Sequence, residues 1–181
     1  LRAERATGGW LINGTKIWTS GAHENDWFVC LLRTSAMEDG NKHAGLSQIL
    51  IDLQSDGLEI SPIPFLDGSH HFNEVTFNDV FVPDENVVGD VGMGWHQNTT
   101  EMAYERGGPD RWLSPFSTIE QLLREAKDTP LEQSVQSLFG ELIARYWGIR
   151  NLSLSVARLI DSGEAPSIES SLVKEMGTRF E

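Results

Sequence analysis

Residues 10–22 read Trp10-Leu11-Ile12-Asn13-Gly14-Thr15-Lys16-Ile17-Trp18-Thr19-Ser20-Gly21-Ala22, and this stretch decides how the first half of the chain is read. Asn13-Gly14 stands between two short runs rich in β-branched and aromatic side chains. Both residues tolerate positive φ, as a two-residue hairpin turn requires, so the stretch predicts a hairpin with residues 10–12 and 15–18 as its arms. Further β-rich runs follow at 27–33, 46–53, 58–63 and 72–82. Turn chemistry separates them, at residues 37–45, at Asp56-Gly57 and at Asp67-Gly68. Several short strands with polar turns and no helical period predict an antiparallel barrel or sandwich. Pro62 and Pro64 cannot donate to a ladder, so their strand belongs at an edge or a bulge.

Beyond Gly89, Gly92 and Gly94 the hydrophobic period changes. Thr129-Pro130-Leu131-Glu132 combines a capping box with proline at the first helical position. After it, Leu131, Val135, Leu138, Leu142, Ile149, Leu152, Val156 and Leu159 recur at helical spacings, and Gly163 is placed to end the run. Phe139, Ile143, Tyr146, Trp147 and Leu154 widen that apolar face. About thirty residues at ~1.5 Å each give a helix near 45 Å, a length suited to a bundle. Residues 94–127 read as an earlier helical stretch, interrupted at Gly107-Gly108-Pro109. A third helix starts near Ser167 and is still running at Glu181. The fold class expected is α+β, with a β-domain over 1–90 and the first helices of an up-and-down bundle over 91–181.

Composition narrows the function. The chain has 181 residues, 39% hydrophobic and 23% charged, with a net charge of −13. Residues 1–90 hold 5 basic and 14 acidic side chains, residues 91–181 hold 9 and 13. Such a balance excludes a nucleic-acid binder, whose phosphate contacts need lysine and arginine. No apolar run approaches the length of a membrane span. Leu1-Arg2-Ala3-Glu4-Arg5 has none of the apolar character of a signal peptide. The lone Cys30 allows no internal disulfide, which fits a reducing compartment. Generic catalytic templates are absent: no phosphate-binding glycine loop follows a strand, and there is no nucleophile elbow. His70 and His71 would point to opposite faces of a strand, and His23, His43 and His96 lack ligand spacing, so no metal site is expected.

Resemblance takes the sequence further. Ile12-Asn13-Gly14 followed by Lys16-Ile17-Trp18-Thr19-Ser20-Gly21-Ala22 resembles a segment characteristic of acyl-CoA dehydrogenases. Phe72-Asn73-Glu74-Val75-Thr76-Phe77-Asn78-Asp79-Val80-Phe81-Val82-Pro83 is similar to the family's FNEVFFDDVRVP segment. Asn86-Val87-Val88-Gly89 and Gly94-Trp95 match the following ENLVG and GW, and Tyr104-Glu105-Arg106-Gly107 resembles the FERG of one large branch. The order and spacing are those of the family, and the resemblance covers nearly the whole chain, weakening after Pro109. It implies most of a middle β-barrel domain and the first part of a C-terminal four-helix bundle, in a homo- or hetero-tetrameric flavoprotein of fatty-acid metabolism. The compartment implied is the bacterial cytoplasm or an organelle matrix.

The resemblance also implies roles. FAD would be the cofactor, with Trp18 against the flavin ring, Ser20 hydrogen-bonding near flavin N5 and Thr19 touching the cofactor through its backbone. Trp18 and Ser20 would share a face if the strand stays regular. A carboxylate must take the α-proton of the acyl-CoA thioester while the β-hydrogen leaves as hydride to N5. Most branches draw that glutamate from a helix beyond residue 181. The isovaleryl- and long-chain-type branches draw it from the position that Glu105 matches, and Arg106 matches an arginine near the acyl-CoA site. Electrons would pass to an electron-transferring flavoprotein. One departure stands out: Arg124-Glu125-Ala126-Lys127-Asp128-Thr129 lacks the Arg-x-x-Phe-Gly motif that reaches a neighbouring subunit's flavin pyrophosphate in many members. Two rivals remain, a flavin-dependent oxidase or monooxygenase on the same fold and an inactive partner subunit of a heteromeric dehydrogenase.

Overall fold

The computed structural model describes residues 1–127 and 130–181, which divide into two compact units, Leu1–Asn98 and Thr99–Glu181. The first contains β1 (Arg2–Ala6), β2 (Gly9–Ser20), β3 (Trp27–Arg33), β4 (Leu46–Asp52), β5 (Leu58–Pro64), β6 (His70–Pro83) and β7 (Val87–Val88). They form one sheet in the order β5-β6-β2-β1-β3-β4-β7. This corrects the expected antiparallel barrel or sandwich: the sheet is open and mixed. The cause is β1. Its polar run Arg2-Ala3-Glu4-Arg5-Ala6 gives no strand signal and buries only Ala3. Yet it inserts between β2 and β3, antiparallel to the first and parallel to the second at Arg2↔Arg33.

The same strand displaces the expected hairpin. The turn from β1 to β2 is at Thr7-Gly8, and Asn13-Gly14 lies inside a continuous β2. There Ile12 pairs with Val80 but Gly14 with Phe77, so β6 carries one extra residue. The Asn13 amide donates to Asp79 Oδ1 (2.8 Å), and the Asp79 backbone N–H donates to Asn13 Oδ1 (2.9 Å). Asp79 at φ 51° and Gly14 at φ 118° complete the bulge. Asn-Gly thus supplies its turn chemistry to a bulge rather than a hairpin. Pro62 and Pro64 do lie on an edge strand, with a register shift at Ile63/Pro64. The core of this unit is built from Ile12, Leu32, Ile49, Ile51, Val75 and Val80, all essentially without exposure. Each such side chain contributes about 1.5–3 kcal/mol of transfer free energy.

The helices are α1 (Gly94–Arg106), α2 (Asp110–Leu113), α3 (Phe116–Ala126), α4 (Gln133–Asp161) and α5 (Ser167–Phe180). Helix α4 ends as expected, before Gly163 at φ 85°, but it starts at Gln133 rather than Pro130. Of the expected capping box, Thr129 lies outside the described residues. In the second unit Ile149, Val156 and Val173 form a small core joining α4 to α5, with Trp112, Leu152, Ile160 and Phe180 packed on it. No helix among the described residues is long and apolar enough to cross a membrane.

Candidate functional site

The segment singled out in the first unit is irregular. Between Lys16↔Val75 and Thr19↔Asn73, β2 advances three residues while β6 advances two. The extra residue is a bulge, and Trp18 occupies it with φ 63°. A left-handed backbone at a tryptophan is strained and persists only where its surroundings enforce it. The regular alternation that would set Trp18 and Ser20 on one face is therefore broken. Trp18 is not a core residue either: it is 59% exposed, beside Ile17 at 56%.

Three features enforce the conformation. The Trp18 ring stands edge-on to Phe72, with centroids 5.9 Å apart, and Phe65 meets Phe72 in the same way at 5.7 Å. Phe65 is carried by a tight turn in which the Ser69 hydroxyl and backbone amide bond Asp67, holding its carboxyl below the usual range. Across the ladder Asn73, wholly buried, donates its amide to the Thr19 carbonyl (3.1 Å) and to His23 Nδ1 (3.0 Å). Past Ser20, Gly21 at φ 63° accepts three hydrogen bonds on its carbonyl, from the backbones of Glu24 and Asn25 and from the Asn25 side chain. That turn brings His23 back over Asn73. The result is a half-exposed indole on a braced support, with an exposed Ser20 two residues further along and Thr19 between them. A planar aromatic group with polar edge atoms fits such a surface: the indole offers it a face and the hydroxyl a hydrogen bond.

In the second unit Glu105 and Arg106 end α1. Glu105 is exposed, and its Oε1 lies 3.7 Å from Arg111 Nη2, not against Arg106. Arg111 also approaches Asp110 (3.3 Å), without the alignment of a hydrogen bond. Arg106 turns aside, its Nη2 3.9 Å from Met102 Sδ. Two buried serines grip this helix end. Ser170 of α5 donates to the Ala103 carbonyl (2.6 Å), and Ser153 of α4 donates to the Gly107 carbonyl (2.8 Å). Close packing makes Gly107 necessary: a Cβ there would stand 2.5 Å from Val156 Cγ1 and 3.1 Å from Ser170 Oγ. Sequence reasoning missed Asn73, His23, Arg111, Ser153 and Ser170. Asn73 lay inside a quoted stretch without a chemical signature of its own, and His23 was set aside for lacking metal-ligand spacing. Two polar serines in otherwise apolar helix faces were the only signal for the other grip.

Comparison with known proteins now bears on these features. The acyl-CoA dehydrogenase middle domain matches residues 1–80. Acyl-CoA dehydrogenase FadE34 of Mycobacterium tuberculosis is 39% identical over 179 residues, 99% of this chain and 25% of its own length. The chain belongs to the acyl-CoA dehydrogenase family. Another family member, acyl-CoA dehydrogenase IpdE1 of Mycobacterium tuberculosis, is 42% identical over 169 residues, 88% of this chain and 40% of its own. Among solved structures of the family, a variant of the Tcur3481-Tcur3483 steroid ACAD superposes with a TM-score of 0.86 at 26% identity, covering 99% of this chain and 47% of that one. The chain thus spans a quarter to two-fifths of these relatives' length.

Proposed function

We propose that this chain supplies part of the flavin and substrate sites of an enzyme that introduces an α,β double bond into an acyl-CoA thioester. FAD, when bound, supplies the two-electron acceptor for the hydrogen that leaves the β-carbon. In this chain Trp18 would hold the flavin ring and shield it from water. The Thr19 backbone and the Ser20 hydroxyl would offer it polar contacts, and the hydroxyl would stabilise negative charge on the reduced cofactor. Glu105 takes the α-proton, and the C–H electron pair becomes the new carbon–carbon double bond as the β-hydrogen departs with its electrons. Arg106 lies beside the acyl-CoA and balances charge.

The observation that carries this proposal is the exposed indole of Trp18 on a strained bulge, at a position matching the family's flavin-facing tryptophan. Strain of about 1–3 kcal/mol at a single residue is characteristic of functional sites. For Glu105, support comes from the buried grip that Ser153 and Ser170 place on its helix end. Its carboxylate is exposed beside Arg111 and open to an incoming acyl-CoA. The relation to a steroid ACAD makes acyl-CoA thioesters with a steroid body the first substrates to try. Transfer of electrons to an electron-transferring flavoprotein, and assembly as a homo- or hetero-tetramer, complete the proposal. It is tested on the intact protein by flavin absorbance and by anaerobic bleaching with a panel of acyl-CoAs. Bleaching with slow reoxidation in air supports a dehydrogenase. Rapid oxygen uptake supports the oxidase alternative, and absence of flavin the inactive-subunit alternative.

A further inference from the structure

The bulge that presents Trp18 is tied to an amide whose partners constrain each other. The Asn73 side chain lies within 3.1 Å of the Thr19 carbonyl, 3.0 Å of His23 Nδ1 and 3.5 Å of the His71 carbonyl. Carbonyl oxygens only accept, so the atom facing both of them is the amide nitrogen. Its two hydrogens go to the nearer partners, Thr19 and His23. His23 Nδ1 must therefore accept, which it does only while it carries no proton. The ring proton then sits on Nε2, 3.5 Å from Glu24 Oε1. The other titratable group against this ring is His70 of β6, whose ring centroid is 4.3 Å away.

We infer that Asn73 and the unprotonated ring of His23 are a positioning pair that sets the Trp18–Ser20 bulge through the Thr19 carbonyl and releases it when His23 Nδ1 takes a proton. A proton on Nδ1 puts two donors face to face at a part-buried position. Asn73 relieves this by rotating its so far unpartnered Oδ1 toward the ring, which withdraws the amide from Thr19. With that anchor gone, the left-handed backbone at Trp18 loses one of the three features that enforce it. Only the unprotonated ring accepts from Asn73, so acid opens the latch and its removal closes it. The consequence for catalysis rests on the flavin-facing role proposed above, whereas the latch itself does not.

Amide hydrogen exchange on the intact protein, corrected for the intrinsic pH dependence, tests the pair. In the wild type, the amides of Thr19, Ser20 and Gly21 exchange about tenfold faster at the acidic end of a pH series than at its neutral end, as loss of one part-buried hydrogen bond predicts. His23→Gln keeps an acceptor that does not titrate, so this step disappears. Asn73→Leu exchanges fast at both ends, while amides of β3 and β4 stay slow in all three proteins. A His23→Gln protein that keeps the full pH step, or an Asn73→Leu protein as protected as wild type at Thr19–Gly21, overturns the inference. Flavin content measured on the same samples separates the two proposals. Faster bulge exchange with unchanged flavin affinity supports the latch and removes the flavin contact from this bulge.

Discussion

Replacing Gly107 by alanine should destabilise the helical unit by an amount that a second, smaller side chain at Val156 gives back. The added Cβ would stand 2.5 Å from Val156 Cγ1, about an ångström inside ordinary contact. Overpacking of this kind costs about 1–3 kcal/mol. Val156→Ala alone removes two methyl groups from a residue 1% exposed, about 1.6 kcal/mol at ~0.8 per group, and about 2–3 kcal/mol with its cavity. In the double variant the obstructing methyl is gone and the alanine at 107 partly fills the cavity. The pair should therefore be no less stable than Val156→Ala alone, a coupling of at least ~1 kcal/mol. Denaturant unfolding of the intact protein, followed by far-UV circular dichroism, measures all three. Additivity within about 0.5 kcal/mol would show that Gly107 is not required by contact with α4.

Ser170→Ala should cost about 1–3 kcal/mol by leaving the buried Ala103 carbonyl unsatisfied, in the same unfolding assay. A change below a few tenths would mean that the carbonyl finds another donor. Burial pushes the Cys30 thiol from 9.0 up to about 11. The fold thus favours the neutral thiol, and stability should be full below about pH 9 and fall as the pH rises toward 11. A Cys30→Ala protein should lack this alkaline component, and native Cys30 should resist thiol reagents near neutral pH. Ser20→Ala should slow flavin reduction by substrate more than it weakens substrate binding, since its bond strengthens only as charge builds on the ring. Stopped-flow bleaching against substrate concentration separates the two effects.

Much of the architecture was legible because hydrophobic period is a local property. The change from short strand runs to helical stripes located β6 and α1, and Gly163 located the end of α4. What was not legible depended on partners distant in sequence. β1 is a strand only because β2 and β3 flank it, and nothing in Arg2-Ala3-Glu4-Arg5-Ala6 announces that. Asn13-Gly14 looked like a hairpin because turns and bulges share the same need for positive φ. Only the reciprocal bonds to Asp79, 66 residues away, decide between them. The site shows the same division. Trp18, Ser20 and Glu105 were singled out by resemblance, but the bulge and both grips were hidden. They rest on side-chain to backbone bonds of 46 to 67 residues' separation, which no spacing rule encodes.

The central claim is tested most directly by Glu105→Gln in the intact, flavin-loaded protein, mixed anaerobically with an acyl-CoA that bleaches the wild type. The substitution keeps the shape and exposure of the side chain while removing its capacity to take a proton. Binding should change little, because Glu105 bonds none of the serines that hold its helix end. Bleaching should slow by at least about 10²-fold, the lower end for a removed general base. Bleaching at near the wild-type rate would contradict the account and assign the base to another residue.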